Sequence, residues 1–180
     1  MSLARRRAWF AALLLGVALN MAPALAEGAV DPLAGAKLAL RGAPGVPADL
    51  PKAFAWFDGA ARSGSPAAAY YLALMYKNGM GVPVNPPAAA HWIAVAAQGG
   101  LPQAMFLLAN MLLNGDGLAR NDAEARRWLE QANALDYPEA ALAIAIGLGH
   151  GMMGYQRDDA QAAQQMKMAM HAMAHRPEEP

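Results

Sequence analysis

Apolar positions along this chain recur at helical spacing, and the pattern itself recurs every 36 residues. Trp56, Trp92 and Trp128 carry that interval. Ala53, Ala60 and Ala61 surround the first tryptophan and Ala89, Ala96 and Ala97 the second. Ala125 and Ala132 surround the third, where Asn133 replaces the last alanine. Pro66, Pro102 and Pro138 keep the same spacing, as do Ala68, Ala104 and Ala140. So do Leu72, Leu108 and Ile144, and then Tyr76, Leu112 and Leu148. Self-similarity at a period of about 20–50 residues marks an array of stacked repeats.

Each period divides into two helices. In helix A the alanine, the tryptophan and the alanine pair fall at i, i+3, i+7 and i+8, which is one helical face, predicted to be the buried one. Gly64 and Gly100 end it, since glycine takes the left-handed backbone of a helix cap without strain. Helix B opens on proline, whose missing N–H is not needed in a first turn, and Ser65 adds a capping hydroxyl. Its expected buried stripe in the second unit is Ala104, Leu107, Leu108, Met111 and Leu112. Asn78-Gly79 and Asn114-Gly115 stop it, and the segment from Val82 to Pro87 is too proline-rich to be helical.

Half-units extend the array at both ends. Pro32 to Arg41 aligns with a helix B, and Gly45-Val46-Pro47 lies 36 residues before Gly81-Val82-Pro83. Residues Gly151 to Gly154 carry one inserted residue, and Asp158 to about Ala174 supplies a last helix A with Gln165 at the tryptophan position. A polar residue there fits a terminal helix that nothing further covers. The predicted fold is all-α, an α/α solenoid of antiparallel helix pairs with about three full 36-residue repeats plus terminal half-repeats over residues 35–174. Residues 27–34 read as a linker and 175–180 as a flexible tail.

The first 26 residues read as a secretory signal. Arg5, Arg6 and Arg7 form its basic end, Ala8 to Leu19 its apolar stretch, and Ala24-Leu25-Ala26 a small-x-small cleavage site behind Pro23. The apolar stretch falls well short of the roughly 20 residues that span a bilayer, so cleavage is expected and stable membrane insertion is not. Periplasmic or secreted localisation follows as the expectation. Cleavage removes three of 14 basic residues and leaves 11 against 14 acidic ones, a formal charge of −3. No basic patch remains, which argues against nucleic acid as a partner. The chain has no cysteine, so packing alone must stabilise it.

Ala89, Trp92, Ala96-Ala97 and Gly99, followed by Ala104, Leu108, Leu112 and Gly115-x-Gly117, resemble Sel1-like repeats. Leu72, Met75-Tyr76, Asn78-Gly79 and Gly81-Val82-Pro83 strengthen the resemblance. It implies a right-handed superhelix related to tetratricopeptide arrays, in a family whose members typically act as adaptors in protein complexes. Some members are disulfide-rich and linked to β-lactam binding; without cysteines that link does not carry over. The third unit departs from the pattern at Gly147 and Met153, so its final turn is expected to be looser.

Catalytic chemistry has little to work with, and no cofactor is expected. Beyond the signal the only hydroxyl nucleophiles of the serine and threonine type are Ser63 and Ser65, which flank Gly64 at a turn where capping accounts for them. Asp158-Asp159 stands where a helix begins, and acidic residues there favour the helix dipole. His91 precedes a tryptophan and is expected to point away from it, and His150 sits near a helix end. Neither has ligand spacing with another histidine.

The C-terminal stretch is compositionally distinct, with Met166, Met168, Met170, His171, Met173 and His175 within ten residues. Met166, Met170 and Met173 extend the apolar stripe from Ala162 and are expected to pack on the preceding helix pair. Met168, His171 and His175 remain as candidate metal ligands, since thioether with imidazole suits copper.

A solenoid presents a concave face, and in the resembling family helix A lines it. The residues opposite the tryptophan stripe are Ala55, Gly59 and Arg62 in the first unit, His91, Val95 and Gln98 in the second, and Arg127, Gln131 and Ala134 in the third. They vary while the core positions repeat, a pattern that recognition positions and plain solvated surface share. The leading expectation is a non-enzymatic, exported scaffold that binds a protein or peptide partner in the cell envelope on this face. A periplasmic copper-binding protein is the alternative, and a cell-envelope hydrolase a weaker third.

Overall fold

A computed structural model describes residues 31–175. The signal over 1–26, part of the linker and the tail beyond His175 lie outside the described residues. Within them the chain forms eight helices and one isolated bridge between Ala43 and Val46. In order these are α1 (Pro32–Arg41), α2 (Leu50–Arg62), α3 (Pro66–Asn78), α4 (Pro86–Gln98), α5 (Pro102–Asn114), α6 (Asp122–Ala134), α7 (Pro138–His150) and α8 (Asp159–Ala174). Helix A of each unit is even-numbered and helix B odd-numbered. Each helix packs chiefly on its neighbours in the chain, which is the one-dimensional order of a solenoid. No helix among the described residues is long and apolar enough to cross a membrane.

The helix limits follow from local chemistry. Asp49, Ser65, Asn85, Asn121 and Asp158 each accept a first-turn N–H through the side chain. Gly79, Gly115 and Gly151 close α3, α5 and α7 in the left-handed conformation, with φ of 69°, 76° and 64°. At the A-to-B turn the positive φ falls on Gly64 and Gly100, then on Asp136 at 56°, a residue type that tolerates it. Ser63 donates to the Gly59 carbonyl and Ser65 caps Ala68, so both serines are engaged locally.

The core lies between successive helices but is not centred on the tryptophans. Phe57, Ile93 and Leu129, one residue further on and also 36 apart, are 0% exposed. Trp56 is 38% exposed, and Trp92 and Trp128 are half-buried. One residue turns a helix by about 100°, and that step moves the indoles from the seam with helix B to the flank facing the preceding unit. Trp56 lies against Gly35 of α1, where any side chain would collide with its ring. Alanines fill the rest of the seam, with Ala53, Ala89 and Ala125 buried at the first position.

Three further expectations at the C-terminal end are corrected. Gln165 is half-buried, with its Oε1 enclosed and lacking a hydrogen-bond partner, because its position faces back onto the array rather than outward. Ala169 is the buried residue of α8, whereas Met166 is only half-buried, and Met170 and Met173 are 63% and 37% exposed. Met170 occupies the position of Ala61 and Ala97, which a following helix B buries in earlier units. The last turn of the third unit is packed, not loose. Met153 absorbs the inserted residue at φ 57°, and Met153 and Tyr155 bury themselves against Gly147.

Candidate functional site

A cleft of about 560 Å³ opens between α4 and α6. Its floor is Leu108 and Leu112 of α5, Ala90 and Ala94 of α4 form one wall, and Trp128 of α6 stands opposite. The segment from Gly117 to Asn121, carrying Leu118, closes one end. Gly117 is required there by two constraints. Its φ is +74°, and a Cβ would run into the Pro86 carbonyl. His91, Gln98, Arg120 and Glu124 supply the polar rim.

The rim charges are not equivalent. Arg120 donates to both carboxylate oxygens of Asp122, at 2.8 and 3.0 Å, and these bonds hold Asp122 below the usual carboxylate range. Glu124 accepts at 3.1 Å from the Asn121 side-chain amide, and its own backbone N–H donates to Asn121 Oδ1 at 3.1 Å, so its carboxylate meets a neutral partner. Among the described residues Glu124 has no ion-pair partner, whereas the Arg120 cation is paired with Asp122.

Of the concave residues proposed from sequence, His91 and Gln98 line this cleft. His91 does not turn away from the adjacent tryptophan; its ring meets Trp92 edge-on at 5.1 Å, because both side chains share the open flank of α4. Arg62 is the counterpart of Gln98 one unit earlier. It is bound to Asp58 at 2.8 Å and lies 5.9 Å from the Trp92 ring, so it belongs to the groove between α2 and α4. Val95 is half-buried outside the cleft. Ala55, Gly59, Arg127, Gln131 and Ala134 are exposed on their helices and also lie outside it. Sequence reasoning missed Ala90, Ala94, Leu118, Glu124 and Trp128. The visible signal was the unit-to-unit change at positions 54, 90 and 126 and at 58, 94 and 130.

The C-terminal candidates fall elsewhere. The rings of His171, in the last turn of α8, and of His175, its C-cap, lie 4.3 Å apart, centroid to centroid, and Met168 is 53% exposed. Among the described residues no three of the His, Cys, Asp and Glu type gather as a metal-binding group. Asp158 caps α8 and Asp159 pairs with Arg157, so the paired carboxylates serve the helix start. His150 is exposed at the end of α7.

Eight consecutive helices packed in chain order, with a cleft on the helix A side, define an all-α helical solenoid. The Sel1 repeat matches residues 33–65, 66–101 and 102–137, and the chain belongs to that repeat family. Its matched units begin on helix B, so the first spans α1 and α2. The fold is similar to the crystal structure of a Sel1 repeat protein from Oxalobacter formigenes, with a TM-score of 0.68 and 21% identity over 81% of this chain and 55% of that one. It is also similar to c5321, described as a protective antigen present in uropathogenic Escherichia coli strains and displaying an SLR fold, at TM-score 0.71 and 29% identity. That match covers 78% of this chain and 30% of c5321. The chain thus spans about half of the first structure and less than a third of the second. No curated protein matches.

Proposed function

We propose that this chain is an exported, non-enzymatic scaffold that holds a protein or peptide segment along its helix A face. The observation that carries the reading is the cleft between α4 and α6, which combines an apolar floor with a polar rim of His91, Gln98, Arg120 and Glu124. Sel1 repeat arrays typically mediate protein–protein contact, which makes a polypeptide the natural class of occupant. Export rests on the basic, apolar and small-residue order of the first 26 residues, and it places the partner in the cell envelope. A photo-crosslinking residue at Gln98, with Lys77 on α3 as control, tests the reading in cells. Selective crosslinking of a polypeptide from position 98 is expected. Equal yields at both positions, or a cytoplasmic chain that keeps its first 26 residues, would overturn it.

One observation favours a second reading, copper binding at the end of α8. The adjacent imidazoles of His171 and His175 and the exposed Met168 thioether supply the donor types that suit copper.

A further inference from the structure

The three inter-unit grooves on the helix A side are built on one plan, and the two outer ones contain a filling of their own. Between α2 and α4, Phe54 meets Tyr76 edge to face at 5.5 Å. Beyond α6 the filling is Tyr155, 9% exposed, with the Arg126 guanidinium 4.1 Å over its ring. Its hydroxyl donates to Glu130, and Arg126 also reaches the Gly154 carbonyl at 3.1 Å. In the middle groove the residues at the Phe54 and Arg126 position and at the Asp58 and Glu130 position are Ala90 and Ala94. Leu112 replaces Tyr76, and Leu118 stands where Tyr155 stands after the one-residue insertion. The cleft thus lacks, at these positions, the aromatic residues that line the groove on either side.

We infer that this cleft takes an aromatic side chain delivered in trans, from a polypeptide segment that carries a basic residue beside it. The inference rests on the scaffold reading above and names the chemistry of its partner. The aromatic preference follows from the neighbouring grooves, where the same backbone frame closes on Phe54–Tyr76 and on Tyr155. A ring entering here is walled by Trp128 and floored by Leu108 and Leu112, and removes roughly 150–250 Å² of its own surface from water. The basic preference follows from charge. Arg120 is committed to Asp122, whereas Glu124 has only the Asn121 amide. A lysine or arginine next to the ring supplies the missing cation, as Arg126 does beside Tyr155.

Selection of a random 12-residue peptide library on the full chain tests this, with the plugged variant A90F/L112Y in parallel. That pair transplants the residues of the first groove, so it is expected to melt no lower than the parent. Enriched peptides should carry an aromatic residue with Lys or Arg within two positions, and should bind the plugged variant at least tenfold more weakly. E124Q should relax the basic preference alone. Replacing the aromatic residue of an enriched peptide by alanine should also cost at least tenfold, a measurement independent of any variant's folding. Peptides without an aromatic residue, or ones that bind the plugged variant equally, overturn this inference and leave the scaffold reading standing. Failure to enrich any peptide overturns both.

Discussion

Tyr155 takes the space that a side chain at Gly147 would need. A Cβ built on that glycine would lie 2.9 Å from Cδ2 of Tyr155, and the phenol is held there by Glu130 and Arg126. Earlier units have Met75 and Met111 at the glycine's position, both buried. The third unit has moved its filling from helix B to the following loop.

Restoring the repeat residue should therefore harm the third unit. Gly147→Met gains helix propensity of up to about 1 kcal/mol. Forcing a side chain into an occupied site costs typically about 1–3 kcal/mol and more when a ring must leave. We expect a net loss of about 1–3 kcal/mol in denaturant unfolding. An unchanged midpoint would show that Tyr155 does not depend on Gly147.

The placement of the core next to, rather than on, the tryptophans has an energetic signature. Ile93→Ala removes a fully buried side chain and should cost about 2–5 kcal/mol. Trp92→Ala removes a larger but half-buried group and should cost less, despite tryptophan's size. Urea titration of the two variants decides the order. The reverse order would place the seam on the indoles.

Alkaline stability should report on Tyr155. Burial, reinforced by the Glu130 carboxylate, pushes its phenol up to about 12 from an ordinary value near 10. The folded state thus keeps a proton that the unfolded chain releases first. The associated stability is complete below about pH 10 and is lost as pH rises from there through about 12. Melting curves from pH 8 to 12 should fall more steeply for the parent than for Tyr155→Phe. Parallel curves would mean that the phenol titrates normally.

Copper binding at the end of α8 makes a direct prediction. Titration of the chain with Cu(I) and Cu(II), monitored by competition with a chromophoric chelator, should show a site that His171→Ala/His175→Ala weakens at least tenfold. Met168→Leu should weaken Cu(I) more than Cu(II), since a thioether prefers the softer ion. Equal affinity of the parent and the double histidine variant removes the copper reading.

Much of the architecture was legible in the residues themselves. The 36-residue period, the prolines that open each helix B and the Asn-Gly pairs that close it are local signals, and the helices begin and end on them. The facing of each side chain was less legible. Trp92 and Ile93 are adjacent and both apolar, so periodicity alone could not say which one enters the seam. The same ambiguity put Met170 and Met173 in the core, where the structure leaves them exposed because no later helix packs on α8 among the described residues.

The chain by itself determined that this protein is a stack of helix pairs, because repetition, capping and proline placement are properties of short segments. Only the tertiary structure decided where the cleft opens. The cleft depends on what Ala90, Ala94 and Leu112 fail to fill once α4, α5 and α6 are brought together. Whether a residue fills a space depends on which others converge on it, and Ala90 and Trp128, 38 positions apart, converge only when the repeats stack.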